Sequence, residues 1–271
     1  MSNEWLDVAL IREVFFDAER SLEDCLLRAR DQGAALAVLP EIPLLPWSPA
    51  TKESREIDTE PPFGPRHERQ ADAARKAGIA LVGGTIVSDP ESGERFNTAL
   101  VLDSAGELLQ SYRKIHLPEE AGFWETSHYA SADTGATPVT VQGWSIGVQI
   151  CSDIMRPMGS HSLAAQGAEL IVNPRATSRS TAPEWLLVCR STALTTSCYV
   201  VSTTRPRAEQ GVNLGGPSLA AAPDGRTLLE SEDEISVVRL ERPKIQRAKT
   251  DYPGYLPVRG DVYEASWHAA R

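Results

Sequence analysis

The chain is poor in cysteine and histidine, with four and five among 271 residues, and it has no C-x-x-C pair and no H-E-x-x-H cluster. Those absences exclude the common zinc spacings and a disulfide framework, so no metal and no cofactor are expected. Cys25, Cys151, Cys189 and Cys198 read as reduced thiols of a cytoplasmic protein. Apolar runs are short. None approaches the roughly 18 residues that cross a bilayer, which excludes a membrane helix. The opening Met1-Ser-Asn-Glu-Trp-Leu-Asp7 lacks a basic segment followed by an apolar one, so no signal peptide is expected. Basic residues are in deficit, 27 Lys+Arg against 37 Asp+Glu, for a net charge of −10. A nucleic-acid partner would need a basic stripe against its phosphates, and none is present. Low-complexity linkers and short repeats are also lacking, so residues 1–271 read as one domain.

What is present is an ordinary globular composition, 41% apolar and 24% charged, in which strand and helix signals alternate. Leu6–Ile11 reads as a strand. Glu19–Asp31 reads as a helix with Leu22, Cys25, Leu26 and Ala29 on one face and Gly33 as its stop. Ala35–Leu39 is a buried strand, 42–65 a Pro-rich loop with one turn of helix, Pro65–Ala77 a helix ended by Gly78, and Ile79–Val87 a strand. Asn97–Leu102 and Glu107–Tyr112 form a hairpin around Asp103-Ser-Ala-Gly106. The stretch 115–136 is long and irregular, which in a compact domain signals function or disorder.

Strands Val139–Val141 and Ser145–Ile150 then flank Gln142-Gly143, followed by a helix Ser160–Gln166 that Gly167 ends. Strand Glu169–Val172, helix Pro183–Thr196 and strand Tyr199–Thr203 come next. A second hairpin joins Ser218–Ala222 and Thr227–Glu230 around Pro223-Asp-Gly-Arg226, and Ile235–Leu240 is the last strand. Past Glu241 periodicity is slight, so 241–271 reads as a tail available for oligomer contacts. The strands are nearly continuous apolar runs, as in sheets covered on both faces. About a dozen strands with few helices call for an α/β fold of two sheets packed face to face with helices outside.

Three polar residues close apolar runs at strand ends: Glu41 ends Ala35-Leu-Ala-Val-Leu-Pro-Glu41, Lys114 ends Leu108-Leu-Gln-Ser-Tyr-Arg-Lys114, and Cys151 ends Trp144-Ser-Ile-Gly-Val-Gln-Ile-Cys151. Singly, each has a bland reading: an inert buried thiol, a solvated loop carboxylate, an exposed ammonium. Together they are the parts of a cysteine-nucleophile site. A thiol among apolar groups stays protonated and needs a base, which Glu41 supplies. The ammonium of Lys114 and the main-chain N–H of Ser152 suit a tetrahedral oxyanion, and no histidine is required. A competing motif, Gly143-Trp-Ser145-Ile-Gly147, matches G-x-S-x-G. Its serine opens a strand instead of turning from strand into helix, which removes the elbow that exposes such a nucleophile.

In the order and spacing of these segments the chain resembles the nitrilase superfamily of carbon–nitrogen hydrolases, from Val8 to about Tyr263. Leu39-Pro-Glu41, Tyr112-Arg-Lys114-Ile-His-Leu117 and Ile150-Cys151-Ser-Asp153 carry the likeness. Gln166-Gly-Ala-Glu-Leu-Ile-Val172, Cys198-Tyr-Val-Val201, Gly216-Pro-Ser218 and Pro223-Asp-Gly225 support it. The resemblance implies a four-layer α-β-β-α sandwich of two mixed sheets, with Glu41 as base, Lys114 as oxyanion stabiliser and Cys151 as nucleophile. It implies a homodimer or larger homo-oligomer. It also implies a second carboxylate that orients substrate. Glu125, eleven positions after Lys114, has a spacing similar to N-carbamoyl amidases, with Glu119 and Glu120 as alternatives.

Asp153, two after the nucleophile, is similar to the amidase and carbamoylase branches, where true nitrilases carry glutamate. The resemblance therefore implies hydrolysis of a linear amide or N-carbamoyl group, with release of ammonia through an acyl-thioester. Nitrile hydrolysis and a non-catalytic binding or assembly module are the alternatives. Ser152, Met158 and Arg175 depart from the usual pattern of those branches and leave the substrate open. Arg156 and Arg175 either hold a substrate carboxylate through a bidentate fork or pair with an acid such as Asp153. Trp124, Phe123 and Trp47 either line the pocket or belong to the core. The expected partner is a small-molecule substrate, with no nucleic acid and no membrane.

Overall fold

The computed structural model describes residues 4–17 and 20–269. Met1–Asn3 of the opening segment and Glu19, the first residue of the expected 19–31 helix, lie outside the described residues. The strands are β1 (Trp5–Ile11), β2 (Leu36–Val38), β3 (Ala80–Ser88), β4 (Arg95–Leu102), β5 (Leu108–Arg113), β6 (Glu119–Glu120), β7 (Phe123–Trp124), β8 (Val139–Val141), β9 (Trp144–Val148), β10 (Leu170–Arg175), β11 (Tyr199–Thr204), β12 (Ser218–Ala221), β13 (Thr227–Ser231) and β14 (Ile235–Glu241). The α-helices are α1 (Leu22–Asp31), α2 (Pro65–Ala77), α3 (Pro157–Ala165), α4 (Ala182–Thr196), α5 (Arg242–Thr250) and α6 (Gly260–Ala269).

Two six-stranded sheets run β14-β1-β2-β3-β4-β5 and β13-β12-β11-β10-β9-β8. Alternation decides which side chains meet. Val8 and Leu10 of β1, with Val38, Val82 and Val101, face Ile146, Val148, Val172 and Val201 of the other sheet in a shared core. Their neighbours Ala9, Ile11, Ala37 and Leu81 point the other way, onto Cys25, Leu26 and Ala29 of α1 and Ala74 and Ala77 of α2. α3 and α4 cover the second sheet, where Cys189 and Ala193 of α4 join the core. The result is the expected four-layer α-β-β-α sandwich. Both sheets show the same pairing series (antiparallel, parallel, parallel, then antiparallel twice), read from β14 and from β8. The halves thus repeat in topology although the sequence shows no repeat, because strand pairing tolerates any residues that keep the alternation.

Local chemistry sets the element ends. Ser21 caps α1 by accepting from the Asp24 N–H, so the helix starts at Leu22. α3 starts at Pro157, earlier than the expected Ser160, because proline suits the first helical position. The loop over 42–65 holds two 3₁₀ turns, Ser48–Ala50 and Glu56–Asp58, where one was expected. Residues 115–136 are not wholly irregular, since β6 and β7 pair as a ribbon and Glu125–Ser127 form a 3₁₀ turn. The segment past Glu241, where periodicity is slight, contains α5 and α6; α5 buries Ile245 alone. No helix among the described residues is long and apolar enough to cross a membrane.

Candidate active site

Segments leaving β2 and β5 of one sheet and β9 of the other bring the polar residues together. Pro40 follows β2, and Glu41 leaves the sheet into a turn where Ile42 takes φ 50°. Lys114 follows β5 directly. Cys151 opens a 3₁₀ turn after β9 with φ 45°. A non-glycine residue in the left-handed region is strained and persists only where its surroundings hold it. Asn173 of β10 does so here, donating from Nδ2 to the carbonyls of Gln149 at 2.8 Å and Cys151 at 3.1 Å. The strained strand-to-turn corner therefore belongs to Cys151, whereas Ser145 lies within β9.

The four central side chains are each at most 4% exposed. The Lys114 Nζ lies 2.7 Å from Glu41 Oε1 and 2.7 Å from both carboxylate oxygens of Glu125. Asn97 Nδ2 also donates to Glu41 Oε1, at 2.7 Å. Ala176 links the Glu41 carboxylate to the thiol: its N–H donates to Glu41 Oε2 at 2.9 Å, and its carbonyl accepts from Cys151 Sγ at 3.6 Å. Burial alone would push the Lys114 ammonium down, but Glu125 and Glu41 hold it well above the ordinary lysine value. Burial and the charge of Glu41 push the Cys151 thiol up, so it rests protonated. Two carboxylates share one ammonium, and burial followed by the Glu41 charge pushes Glu125 up to about 8 despite the contact with Lys114.

Asp153 ties the cysteine turn to the lysine segment. Its Oδ2 accepts from the Ile150 N–H at 3.2 Å and the Tyr112 hydroxyl at 2.8 Å. Its Oδ1 accepts from the N–H groups of Ile115 at 3.2 Å and His116 at 2.8 Å, and lies 2.9 Å from His116 Nδ1. Ser152 adds a hydroxyl bond to the His116 carbonyl. Its main-chain N–H lies in the first turn of the 3₁₀ segment, where main-chain donors lack intrahelical acceptors.

The other sequence candidates fall elsewhere. Glu119 and Glu120 are exposed, and Glu119 pairs with Lys52 at 3.5 Å, so neither reaches Lys114. Trp124 is half-buried beneath Lys52, whose Nζ is 4.1 Å from its ring centre. Phe123 packs on Trp47 at 5.9 Å, and the wholly buried Trp47 joins Ile42, Leu45, Tyr129 and Ala176 in a small core beside the site. Arg156 is exposed, with no ion-pair partner among the described residues, and Met158 is exposed next to it. Arg175 is fully buried and pairs with no carboxylate among the described residues. It donates to Ser202 Oγ at 2.9 Å, to Thr177 Oγ1 and to the Pro217 carbonyl, with its guanidinium 5.4 Å from the Trp185 ring of α4. Neither arginine pairs with Asp153.

Sequence reasoning missed Asn97 and Ala176. Asn97 is a buried amide in the apolar strand Phe96-Asn97-Thr98-Ala99, which is the kind of signal that flags a polar partner. Ala176 has no side-chain signal, since it works through its main chain.

Such a sandwich, with thiol, carboxylate and ammonium gathered at strand ends, defines the nitrilase-superfamily architecture. The chain belongs to the carbon–nitrogen hydrolase family, whose model matches residues 9–250. It is 31% identical to the chloroplastic omega-amidase of Arabidopsis thaliana over 91% of this chain and 68% of that one. It is 30% identical to a nitrilase of Pyrococcus abyssi over 81% of each. A carbon–nitrogen hydrolase from Helicobacter pylori shares the fold with a TM-score of 0.86 at 19% identity, over 96% of this chain and 97% of that one. An amidase from Nesterenkonia sp. AN1 aligns with a TM-score of 0.77 at 25% identity over 97% of each chain. Its mutant structure shows the acetamide moiety of fluoroacetamide added covalently at the active-site cysteine.

Proposed function

We propose that this carbon–nitrogen hydrolase cleaves a linear amide or N-carbamoyl bond through a Cys151 acyl-thioester, with Glu41 as base. The observation that carries the reading is the shared contact at Ala176, whose main-chain N–H bonds the Glu41 carboxylate while its carbonyl accepts from the thiol, bringing both to one residue. Glu41 takes the thiol proton as sulfur attacks the carbonyl carbon, and the C=O electron pair moves onto oxygen. Lys114 and the Ser152 N–H stabilise that oxyanion. Collapse expels the nitrogen, which leaves as ammonia with the proton from Glu41. Water then attacks the thioester, gives a proton to Glu41, and frees the acid as the thiol recovers that proton.

Glu125 keeps Lys114 oriented and faces the leaving nitrogen. The omega-amidase relative and the acetamide adduct of the Nesterenkonia amidase support amide cleavage; the Pyrococcus relative supports a nitrile as the second reading. Trp124 is the proposed pocket wall. Arg156, exposed beside the cysteine turn, is the arginine suited to a carboxylate on the substrate, and Arg175 is not. Exposed Tyr252, Tyr255, Leu256 and Tyr263 on the C-terminal segment support assembly with further copies of the chain. Four free cysteines fit a reducing, cytoplasmic setting.

The test is ammonia release from N-carbamoyl amines, N-carbamoyl amino acids, dicarboxylic monoamides and nitriles, with Cys151→Ala as control. Release from an amide or carbamoyl compound that vanishes in the control supports the proposal. Turnover of nitriles alone, or turnover that survives in Cys151→Ala, would sink it.

A further inference from the structure

The turn that carries Glu41 is strained, and one distant side chain holds it. Ile42 follows Glu41 at φ 50°, where a β-branched residue is a genuine outlier. Arg205, just past β11 in the opposite sheet, is wholly buried. Its Nη1 donates to the carbonyls of Glu41 at 2.9 Å and Ile42 at 2.8 Å, and its Nη2 to that of Leu45 at 2.7 Å. The same guanidinium meets Glu209 through both carboxylate oxygens, at 2.8 and 2.7 Å. Glu209 in turn accepts from the Trp47 N–H at 3.0 Å, and the Trp47 ring centre lies 5.8 Å from the guanidinium carbon.

One planar fork thus gathers three carbonyls of the turn and anchors them to a carboxylate that holds the turn's far end. Lysine, a point charge with a different reach, cannot reproduce that pattern. The peptide groups on both sides of Ile42 are bonded to Arg205, so relaxing the strain requires breaking bonds to a buried charge. Asn97, Lys114 and Ala176 fix the carboxylate end of Glu41, but nothing else described holds its carbonyl.

We propose that Arg205 is the positioning residue for Glu41: it locks the strained 41–45 turn that aims the carboxylate at the Cys151 thiol. The inference rests on the reading of Glu41 as the proton acceptor. Arg205 bonds the turn carbonyls and Glu209, not the Cys151 thiol, and acts by geometry. A misplacement of about 1 Å at a reacting group can cost on the order of a hundredfold in rate.

The probe is iodoacetamide, with alkylation of Cys151 followed by mass mapping between pH 6 and 10 in the full chain. Wild type, Arg205→Lys, Glu209→Gln and Glu41→Gln are compared, each checked for folding by its thermal midpoint. Arg205→Lys slows alkylation about tenfold at pH 7, and the gap narrows as pH rises and hydroxide replaces the misplaced base. Glu209→Gln shows a smaller defect with the same pH dependence. Glu41→Gln slows the reaction further, by about a hundredfold. A folded Arg205→Lys that reacts at the wild-type rate, or is slowed equally at every pH, overturns the inference. If that variant does not fold, Glu209→Gln carries the same two outcomes. A Glu41→Gln protein that alkylates normally overturns the base assignment instead, whatever Arg205→Lys does.

Discussion

Glu125 holds both carboxylate oxygens 2.7 Å from the Lys114 ammonium, which Glu41 also contacts at 2.7 Å. One buried cation between two buried carboxylates leaves a charge in excess. Folding therefore favours a proton on Glu125, which burial pushes up from 4.5 to about 8.

Stability should follow from that shift. A carboxyl raised in the folded state stabilises fully below its unfolded value and loses the contribution as pH climbs toward 8. The loss is at most about 1.4 kcal/mol per pH unit. Burial lowers His67 and His161, which adds stability as pH rises through their range and opposes the trend. The comparison that isolates Glu125 is therefore wild type against Glu125→Gln. The difference in their unfolding free energies should shift against wild type between pH 5 and 8. Parallel curves would dismiss the protonated-carboxyl reading.

Glu41→Gln keeps the shape of the side chain but removes the proposed base. Turnover of the best amide from the ammonia screen should fall by about 10²–10⁴-fold with the thermal midpoint little changed. Lys114→Met should lose activity too, and in addition destabilise by about 3–5 kcal/mol, because it strands the buried Glu41 carboxylate without its cation. Denaturant titration beside the activity assay separates the two effects.

Asp153→Asn should behave as a positioning defect. The amide can accept at one position but presents N–H groups to main-chain donors at the other, so the bond from the Ile150 N–H, or those from the Ile115 and His116 N–H groups, are lost. The cysteine turn and the lysine segment then part. We expect kcat to drop about tenfold or more with KM nearly constant. A change in KM alone would place Asp153 in substrate binding.

Arg175→Leu should cost stability without changing substrate preference. It leaves the Ser202 and Thr177 hydroxyls and the Pro217 carbonyl without their buried donor, at about 1–3 kcal/mol for each group left unsatisfied. Activity on a neutral amide and on an acidic one should fall equally. A selective loss on the acidic substrate would restore Arg175 as a carboxylate clamp.

Sequence alone determined the sandwich, because alternation, helix caps and turn chemistry are local and each segment carries its own signal. It placed α1, α2 and both hairpins near their observed bounds, and it singled out Glu41, Lys114, Glu125 and Cys151 by their positions at or near strand ends and by resemblance. It assigned no helix past Glu241 because α5 buries only Ile245, which leaves almost no apolar stripe to detect. Only the tertiary structure decided what surrounds the reactive groups. Asn97 is 56 residues from Glu41, Ala176 is 135, and Arg205 is 164. Such contacts exist only once strands pair within a sheet, as for Asn97, or the two sheets pack, as for Ala176 and Arg205. The same packing removed Arg175 from the candidate substrate contacts, since whether a guanidinium faces a cavity or a helix depends on which side of its strand is covered.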